Sequence, residues 1–146
     1  MNFSWNTNQN NVNKVNNNVN LIDVYSEYRN LTEGFCNYYY DLFDNNFPDL
    51  SGLFKNDCMI TYLDEEMSGF NEYFSKIKQY NIYNFTHHEI NVNSQPVGSS
   101  GLLITTTGTI SINNSIFRNK FSETILLVRD DQNNFFIHHY MFRLID

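Results

Sequence analysis

Apolar side chains in the first half of the chain recur every three or four residues, which is the spacing of one face of an α-helix. Over residues 21–43 this spacing predicts one long amphipathic helix. Gly34 lies inside it and weakens helix formation by about 1 kcal/mol relative to alanine. The apolar positions that define the face are Leu21, Val24, Tyr25, Tyr28, Leu31, Phe35, Tyr38, Tyr39 and Leu42.

Two further helices and a short strand are predicted next. Pro48 suits the first turn of a short helix over residues 48–54. Residues 59–63 are typical of a strand, and the acidic run Asp64-Glu65-Glu66 that follows is interpreted as a turn. Ser68 suits the N-cap of a third helix, whose apolar side chains continue at helical spacing to Tyr80.

Beyond Tyr80 the spacing of apolar residues changes from three or four positions to two, which indicates β-strands. Gly108 in mid-strand indicates a bend or a bulge. Helices followed by an antiparallel meander predict an α+β fold, with the helices packed on one face of a bent sheet. The predicted strands are residues 87–97, 102–112, 117–128 and 135–145, with turns at residues 113–114 and 130–134.

The chain divides into a tail and one domain. Half of residues 1–20 are asparagine, and such a polar segment buries too little apolar surface to offset its ordering entropy. We therefore expect a disordered Asn-rich tail over residues 1–20 and a single folded domain over residues 21–146.

Charge and cysteine content narrow the classes of function. A net charge of −7 argues against binding of the nucleic-acid backbone, which requires a basic face. Two cysteines, Cys36 and Cys58, cannot form a disulfide framework, so a reducing compartment is expected. The chain has no apolar run of the roughly 20 residues that a membrane span needs, and its start lacks the apolar core of a signal peptide.

Few residues carry a recognisable chemical motif. The chain has no glycine-rich phosphate loop, nucleophile elbow or Cys-x-x-Cys pair, so no cofactor and no enzyme activity are predicted. The pairs His87-His88 and His138-His139 have no metal-ligand spacing, and surface or hydrogen-bonded histidines are the favoured interpretation. The acidic run 64–66 is either a solvated turn, an acid/base group or a docking patch for a basic partner.

Aromatic residues offer one candidate cavity between sheet and helices. Tyr62, Phe85, Met141 and Phe142 are the residues expected to line it, although aromatic residues at strand spacing more often form ordinary core.

Several short segments, taken in order, resemble one family. Residues 35–44 contain Tyr-Tyr-Tyr-Asp-Leu-Phe-Asp, similar to a first helix that ends in Tyr-Tyr-x-Leu-Phe-Asp, and Ile60-Thr61-Tyr62 resembles a Leu-Thr-Trp strand. The match covers about residues 24–145 and resembles the nuclear transport factor 2 family. Other segments that fall in order are Gly69, Gln95-Pro96, Gly108, Phe121, Leu126-Leu127 and Met141-Phe142-Arg143-Leu144.

The resemblance implies a cone-shaped α+β domain with a strongly curved antiparallel sheet, a deep apolar cavity and a homodimer across the open sheet faces. It also implies binding of Ran-GDP and of the Phe-x-Phe-Gly repeats of nucleoporins, in the cytoplasm, the nucleus and at the nuclear envelope. On this basis Tyr62, Met141 and Phe142 line the cavity that receives an aromatic ring of Ran, and Tyr28 helps to bind the nucleoporin repeats.

The acidic rim of the cavity departs from the family pattern. Leu63 stands where the family has a glutamate, and Asn113 and Ser115 stand where it has two aspartates. The neighbouring acidic residues 64–66 are the remaining candidates for pairing with basic residues of Ran.

Three hypotheses follow from this pattern. The first is a carrier for Ran-GDP and nucleoporins. The second, favoured by the altered rim, is a dimeric scaffold or peptide-binding domain that has lost Ran binding. The third is an isomerase- or dehydratase-type enzyme, which would need His87 or His138 paired with a carboxylate deep in the cone.

Overall fold

A computed structural model describes residues 20–145. The predicted Asn-rich tail, apart from Asn20, lies outside the described residues. The elements are α1 (Val24–Asn45), a 3-10 helix (Phe47–Leu53), β1 (Phe54–Tyr62), β2 (Glu65–Ser68), α2 (Phe70–Gln79), β3 (Phe85–Val97), β4 (Gly101–Ile112), β5 (Asn119–Arg129) and β6 (Phe135–Ile145).

The six strands form one curved sheet in the order β2-β1-β6-β5-β4-β3. The predicted α+β class is confirmed, and β3 to β6 form the predicted antiparallel meander. The sheet as a whole is mixed, because β1 pairs with β6 in parallel, with Phe54 opposite Ile137 and Tyr62 opposite Phe142. Sequence periodicity carries no information on this long-range pairing.

Helix α1 begins at Val24, three residues after the predicted start at Leu21. Asp23 is its N-cap and accepts a hydrogen bond from the Tyr25 backbone N–H at 3.3 Å, so Leu21 precedes the helix. Leu21 and Tyr25, predicted on the apolar face, are both exposed. The buried face consists of Val24, Leu31, Phe35, Tyr39, Tyr40 and Phe43.

The acidic run does not form one turn. Leu63 and Asp64 have φ values of +51° and +70° and join β1 to β2 in a two-residue hairpin turn, while Glu65 and Glu66 lie in β2. Phe54, predicted in the short helix, is the first residue of β1.

Gly69, and not Ser68, occupies the N-cap of α2. Ser68 ends β2, and its backbone N–H donates to the Glu72 carboxylate at 2.9 Å. The backbone then turns at Gly69, where φ is +81° and ψ is 156°, a region that is almost restricted to glycine. This backbone conformation explains why the predicted serine cap is wrong.

Two of the later strand boundaries also differ from prediction. Strand β5 begins at Asn119, so Ile116 and Phe117 lie exposed in the preceding connection. The irregularity predicted at Gly108 lies on the neighbouring strand β3, where the pairing register shifts between His88 and Asn91. A Cβ atom at Gly108 would lie 2.7 Å from the Glu89 carbonyl oxygen, so the close approach of the two strands requires glycine.

The two faces of the sheet have different surroundings. The inner face packs against α1, α2 and the 3-10 helix and forms the core, which includes Ile104, Phe121, Ile125 and Tyr140. The other face is covered by no described element, and both of its methionines are exposed. We call it the open sheet face and define it by Met59, Thr61, Leu103, Thr124, Leu126 and Met141.

Substitution of Gly69 tests the turn into α2. We expect Gly69→Ala to lower the free energy of unfolding by about 2–4 kcal/mol, since the new Cβ would meet the Asn56 carbonyl oxygen at 2.7 Å in a strained backbone conformation. Gly52→Ala is the control, because a Cβ there meets nothing within 4 Å, and its effect should stay within about 1 kcal/mol. Urea unfolding measures both; equal effects would contradict the assignment.

Candidate functional site

Two of the predicted cavity residues stack on each other. The rings of Tyr62 and Phe142 lie 5.2 Å apart at 19°, and Phe121 continues the stack at 5.7 Å from Phe142. Phe142 is only 3% exposed and Tyr62 is similarly buried, so the pair presents almost no surface. A partner's aromatic ring would have to displace these side chains to enter here.

Met141 lies on the opposite side of the sheet from Phe142. It is 51% exposed on the open sheet face, so the prediction that it shares a cavity with Phe142 is wrong. The physical reason is the strand geometry, because successive side chains of β6 point to opposite faces.

Phe85 belongs to a different hollow of the molecule. It lies under a groove of about 370 Å³ between the C-terminal end of α1, the 3-10 helix, α2 and the start of β3. Its ring contacts Phe43 at 4.9 Å and Phe47 at 5.4 Å between centroids. We call this the helix-side groove; its apolar lining consists of Phe43, Phe47, Pro48, Phe74, Ile77, Ile82 and Phe85.

The acidic run is near the stacked pair but largely engaged within the chain. Asp64 accepts from Arg143 at 2.5 Å, and Glu65 pairs with Lys76 at 2.8 Å and with the Tyr80 hydroxyl. The Lys76 ammonium lowers the pKa of Glu65. Glu66 is exposed on β2.

Tyr28, the predicted nucleoporin-binding residue, lies half-buried on α1. Its ring packs against the core, and the Arg29 guanidinium lies 4.8 Å from the ring centroid. The structure therefore leaves only part of the ring accessible to a partner.

The Asn113 side chain links two loops. Its carbonyl oxygen accepts from the backbone N–H groups of Tyr83 at 2.8 Å and Asn84 at 3.3 Å, and its amide donates to the Asn81 carbonyl oxygen at 2.8 Å. A residue expected at a partner-binding rim is thus bound within the chain.

Sequence analysis missed a buried carboxylate network. Glu123 is 1% exposed and accepts hydroxyl hydrogen bonds from Tyr40 at 2.6 Å, Tyr140 at 2.7 Å and Tyr39 at 3.0 Å. The Tyr140 hydroxyl also lies 3.1 Å from that of Tyr73. Burial raises the pKa of Glu123, and the charge of His87 and the tyrosine hydroxyls oppose that effect.

His87 is paired with a carboxylate, as the enzyme hypothesis requires, but it is enclosed. Its Nδ1 lies 2.6 Å from the Asp44 carboxylate, which also accepts the His87 backbone N–H at 2.9 Å. Nε2 finds no hydrogen-bond partner among residues 20–145, and the rings of Tyr40, Phe43 and Phe121 pack edge-on around the imidazole. Asp44 lies in the lining of the helix-side groove, whereas the His87 ring is 1% exposed and is not part of that lining.

The remaining histidines form no such pair. His88 Nε2 lies 2.9 Å from the Ser111 hydroxyl, so this ring is hydrogen-bonded within the sheet. Partial burial lowers the pKa of His138, which lies near Lys55 and Asp57. Within residues 20–145 no group of three or more His, Cys, Asp or Glu side chains is placed to hold a metal ion.

The open sheet face carries an exposed apolar patch. Met59 is 65% exposed, and Met141 and Leu126 lie beside it along a hollow of about 290 Å³. A contiguous apolar patch of this kind indicates a contact surface. No helix among the described residues is long and apolar enough to cross a membrane.

Comparison with known proteins links this geometry to one family. The family model described as the nuclear transport factor 2 (NTF2) domain matches residues 31–144. Nuclear transport factor 2B of Arabidopsis thaliana is 28% identical over 115 residues, which is 78% of this chain and 91% of that protein.

Solved structures show the same fold. Nuclear transport factor 2 from Cryptosporidium parvum has a TM-score of 0.72 at 27% identity, covering 87% of this chain and 99% of that one. The structure of the Candida albicans Mtr2–Mex67 M domain complex has a TM-score of 0.62 at 14% identity, covering 80% of this chain and 93% of that one, and at that identity it shows the fold alone.

Replacement of Glu123 tests the buried network. Because the pKa of Glu123 is raised in the folded state, its stabilising contribution is complete at low pH and declines as pH rises through the folded pKa. Glu123→Gln cannot ionise, so its stability relative to the wild type should increase between about pH 4, near the free carboxyl pKa, and pH 8. Urea unfolding at several pH values measures this difference.

Two further variants complete the test. Glu123→Ala leaves three tyrosine hydroxyls without their acceptor and should cost roughly 3 kcal/mol or more. Glu33→Gln, at an exposed position of α1, is the control for the same chemical change outside the network. A Glu123→Gln difference that stays constant or shrinks with rising pH would refute a raised pKa.

Proposed function

Because this chain belongs to the nuclear transport factor 2 domain family, we propose that it is a non-enzymatic protein-binding domain of nucleocytoplasmic transport. The observation that carries the proposal is the extent of the similarity, which spans 91% of the Arabidopsis relative and 99% of the Cryptosporidium structure. On this proposal the protein works in the cytoplasm, in the nucleus and at the nuclear envelope.

We propose that the protein is a homodimer formed through the open sheet face. Met59 and Met141 are exposed there, flanked by Leu103 and Leu126, and an apolar surface of this kind is costly to leave in water. A second copy is the natural occupant, since the same patch on both subunits forms an isologous contact.

Ran-GDP and the Phe-Gly repeats of nucleoporins are the proposed partners. The acidic residues Asp64, Glu65 and Glu66 lie at the end of β1 and in β2, next to the Tyr62 and Phe142 stack, and give this end of the domain a negative rim. A basic partner with an aromatic anchor has the complementary chemistry. The half-exposed ring of Tyr28 is the proposed contact for Phe-Gly repeats.

A specific observation supports a second candidate, a dimeric peptide-binding scaffold without Ran affinity. The Asn113 side chain makes three hydrogen bonds within the chain, and Leu63 forms part of a tight turn. Asp64 and Glu65 already have cationic partners in Arg143 and Lys76. A Ran residue would have to compete with these pairs.

An isomerase or dehydratase is the weakest candidate. The His87–Asp44 pair supplies an acid/base group, but the free imidazole nitrogen lies against three aromatic rings. A general base must lie within hydrogen-bond reach of its substrate.

The dimer is tested by placing a charge on the open sheet face. We expect Met59→Glu to raise the dimer dissociation constant at least about tenfold, because the interface would then bury unpaired carboxylates at a cost above about 1.4 kcal/mol. Ile116→Glu is the control, since Ile116 is exposed in the connection before β5 and should leave the dimer intact. Light scattering after size exclusion measures the mass; a wild-type monomer at micromolar concentration would contradict the dimer.

The partners are tested by parallel capture on immobilised Ran-GDP, Ran-GTP and Phe-Gly peptides. We expect the wild type to bind Ran-GDP and the peptides, and Glu66→Lys to weaken Ran-GDP capture five- to tenfold through loss of charge complementarity, or about 1 kcal/mol. Asp131→Lys makes the same charge change in the β5–β6 connection, at the opposite end of the sheet, and should bind normally. Peptide capture without Ran capture would favour the scaffold, and capture of neither would remove both candidates.

A further inference from the structure

The helix-side groove has a buried floor and an exposed rim. Phe43 and Phe85 form the floor, and Phe47 and Phe74 form aromatic walls that pack on one another at 6.0 Å and 20°. Tyr83, 79% exposed, and the exposed Lys78 lie at the rim. A volume of about 370 Å³ falls within the usual range of ligand sites.

The groove is held in shape by contacts outside it. The Asn113 side chain binds the backbone of Tyr83 and Asn84, and His87 donates to Asp44 through both its ring and its backbone N–H. These contacts fix the two segments that carry the polar lining. A site that exists before its ligand arrives loses less free energy to ordering when the ligand binds.

Two polar side chains that line the groove, Asp44 and Asn84, have acceptor oxygens with unused capacity. The Asp44 carboxylate keeps free lone pairs beyond its two contacts with His87, and its side chain is 22% exposed. Asn84 Oδ1 is buried and has no donor within residues 20–145. The terminal torsion of asparagine is broad, and the proposed contact requires the Asn84 amide to rotate so that this oxygen faces the groove. A buried acceptor without a donor is costly, so a ligand that supplies one gains affinity.

One cation completes the site. The Lys78 ammonium lies 4.2 Å from the centroid of the Phe74 ring, at the exposed edge of the groove. It can meet an acidic group placed next to an aromatic side chain.

We propose that the helix-side groove binds a tryptophan or tyrosine side chain of a partner peptide, with an acidic residue beside it. The ring packs against the edges of Phe47 and Phe74 and against the floor, and its N–H or O–H donates to Asn84 or Asp44. Phenylalanine fills the same space but has no donor, so the groove discriminates against it. The site shares no residue with the acidic run or with the open sheet face, so this proposal stands apart from the proposed carrier function.

A peptide is the chosen occupant because the rim is open along the surface. Asn45, Asn46 and Tyr83 border the groove and are exposed, so a peptide backbone can pass over them while one side chain enters. The side-chain amides of Asn45 and Asn46 donate to Asp41 and Asp49, so their carbonyl oxygens and the Tyr83 hydroxyl are the groups left for that backbone.

The test is an NMR titration of the ¹⁵N-labelled full chain with three matched peptides, acetyl-Gly-X-Asp-Gly-amide, in which X is Trp, Tyr or Phe. The Trp and Tyr peptides are expected to have dissociation constants at least fivefold lower than the Phe peptide, with shifts centred on the amides of Phe74, Lys78 and Phe85. Equal affinities for the three peptides would overturn the donor requirement. Shifts centred on the open sheet face would overturn the site.

Variants separate the parts of the proposal. Asn84→Ala should bring the Trp and Tyr peptides close to the dissociation constant of the Phe peptide, whereas Phe74→Ala should weaken all three at least fivefold. Phe117→Ala removes an exposed aromatic ring outside the groove and should bind like the wild type. Asp44→Ala removes the other acceptor, whereas Asp44→Asn would keep one. Retention of the fivefold preference in the double variant Asn84→Ala with Asp44→Ala would show that neither acceptor is used, and would overturn the proposed contacts.

Two more probes test the acidic neighbour and the peptide. Replacing Asp by Lys in the Trp peptide should weaken its binding to the wild type several-fold. The same replacement should hardly change the affinity of the Lys78→Ala variant for the peptide. If both proteins lose affinity equally, the role of Lys78 is refuted. Free N-acetyl-tryptophanamide should bind more weakly than the Trp peptide. If it binds equally tightly, the occupant is a small aromatic molecule and the peptide assignment is wrong.

Discussion

The carboxylate of Glu123 links the two α-helices to the sheet. It lies on β5 and receives hydroxyl hydrogen bonds from Tyr39 and Tyr40 of α1 and from Tyr140 of β6, which in turn contacts Tyr73 of α2. Removal of a carboxylate from water is expensive unless donors replace the lost hydration. Any shift of α1 along the sheet, or of β6 by one residue, would break this set of contacts, so the network selects one arrangement of helices and strands.

The same crowded interior determines where the protein can bind. Tyr62, Phe121 and Phe142 stack on one another, so the inner face of the sheet is filled by the chain's own aromatic rings. The accessible apolar surfaces therefore lie elsewhere, on the open sheet face and in the helix-side groove. The open sheet face is broad and suits the surface of another folded domain, whereas the helix-side groove is narrow and suits a single side chain.

Periodicity along the chain was sufficient to predict α1, α2 and the four strands of the meander, because each buries one face with a regular spacing. It could not predict the parallel pairing of β1 with β6, which joins residues about 80 apart, nor the turn at Gly69, which depends on the approach of Asn56. Strand alternation in β6 places Met141 on the opposite face from Phe142, which a likeness between short sequence segments does not show. The burial of Glu123 could be inferred from sequence, since it falls at the same two-residue spacing as Phe121, Ile125 and Leu127 on the buried face of β5.

Asn113 connects the altered rim with the helix-side groove. An aspartate here, as in the family pattern, would still accept from Tyr83 and Asn84 but could not donate to the Asn81 carbonyl oxygen. Asparagine satisfies all three groups and thereby holds the segment that carries Asn84 into the groove wall. Asn113 thus offers no charge to a basic partner, and its three hydrogen bonds hold the frame of the helix-side groove.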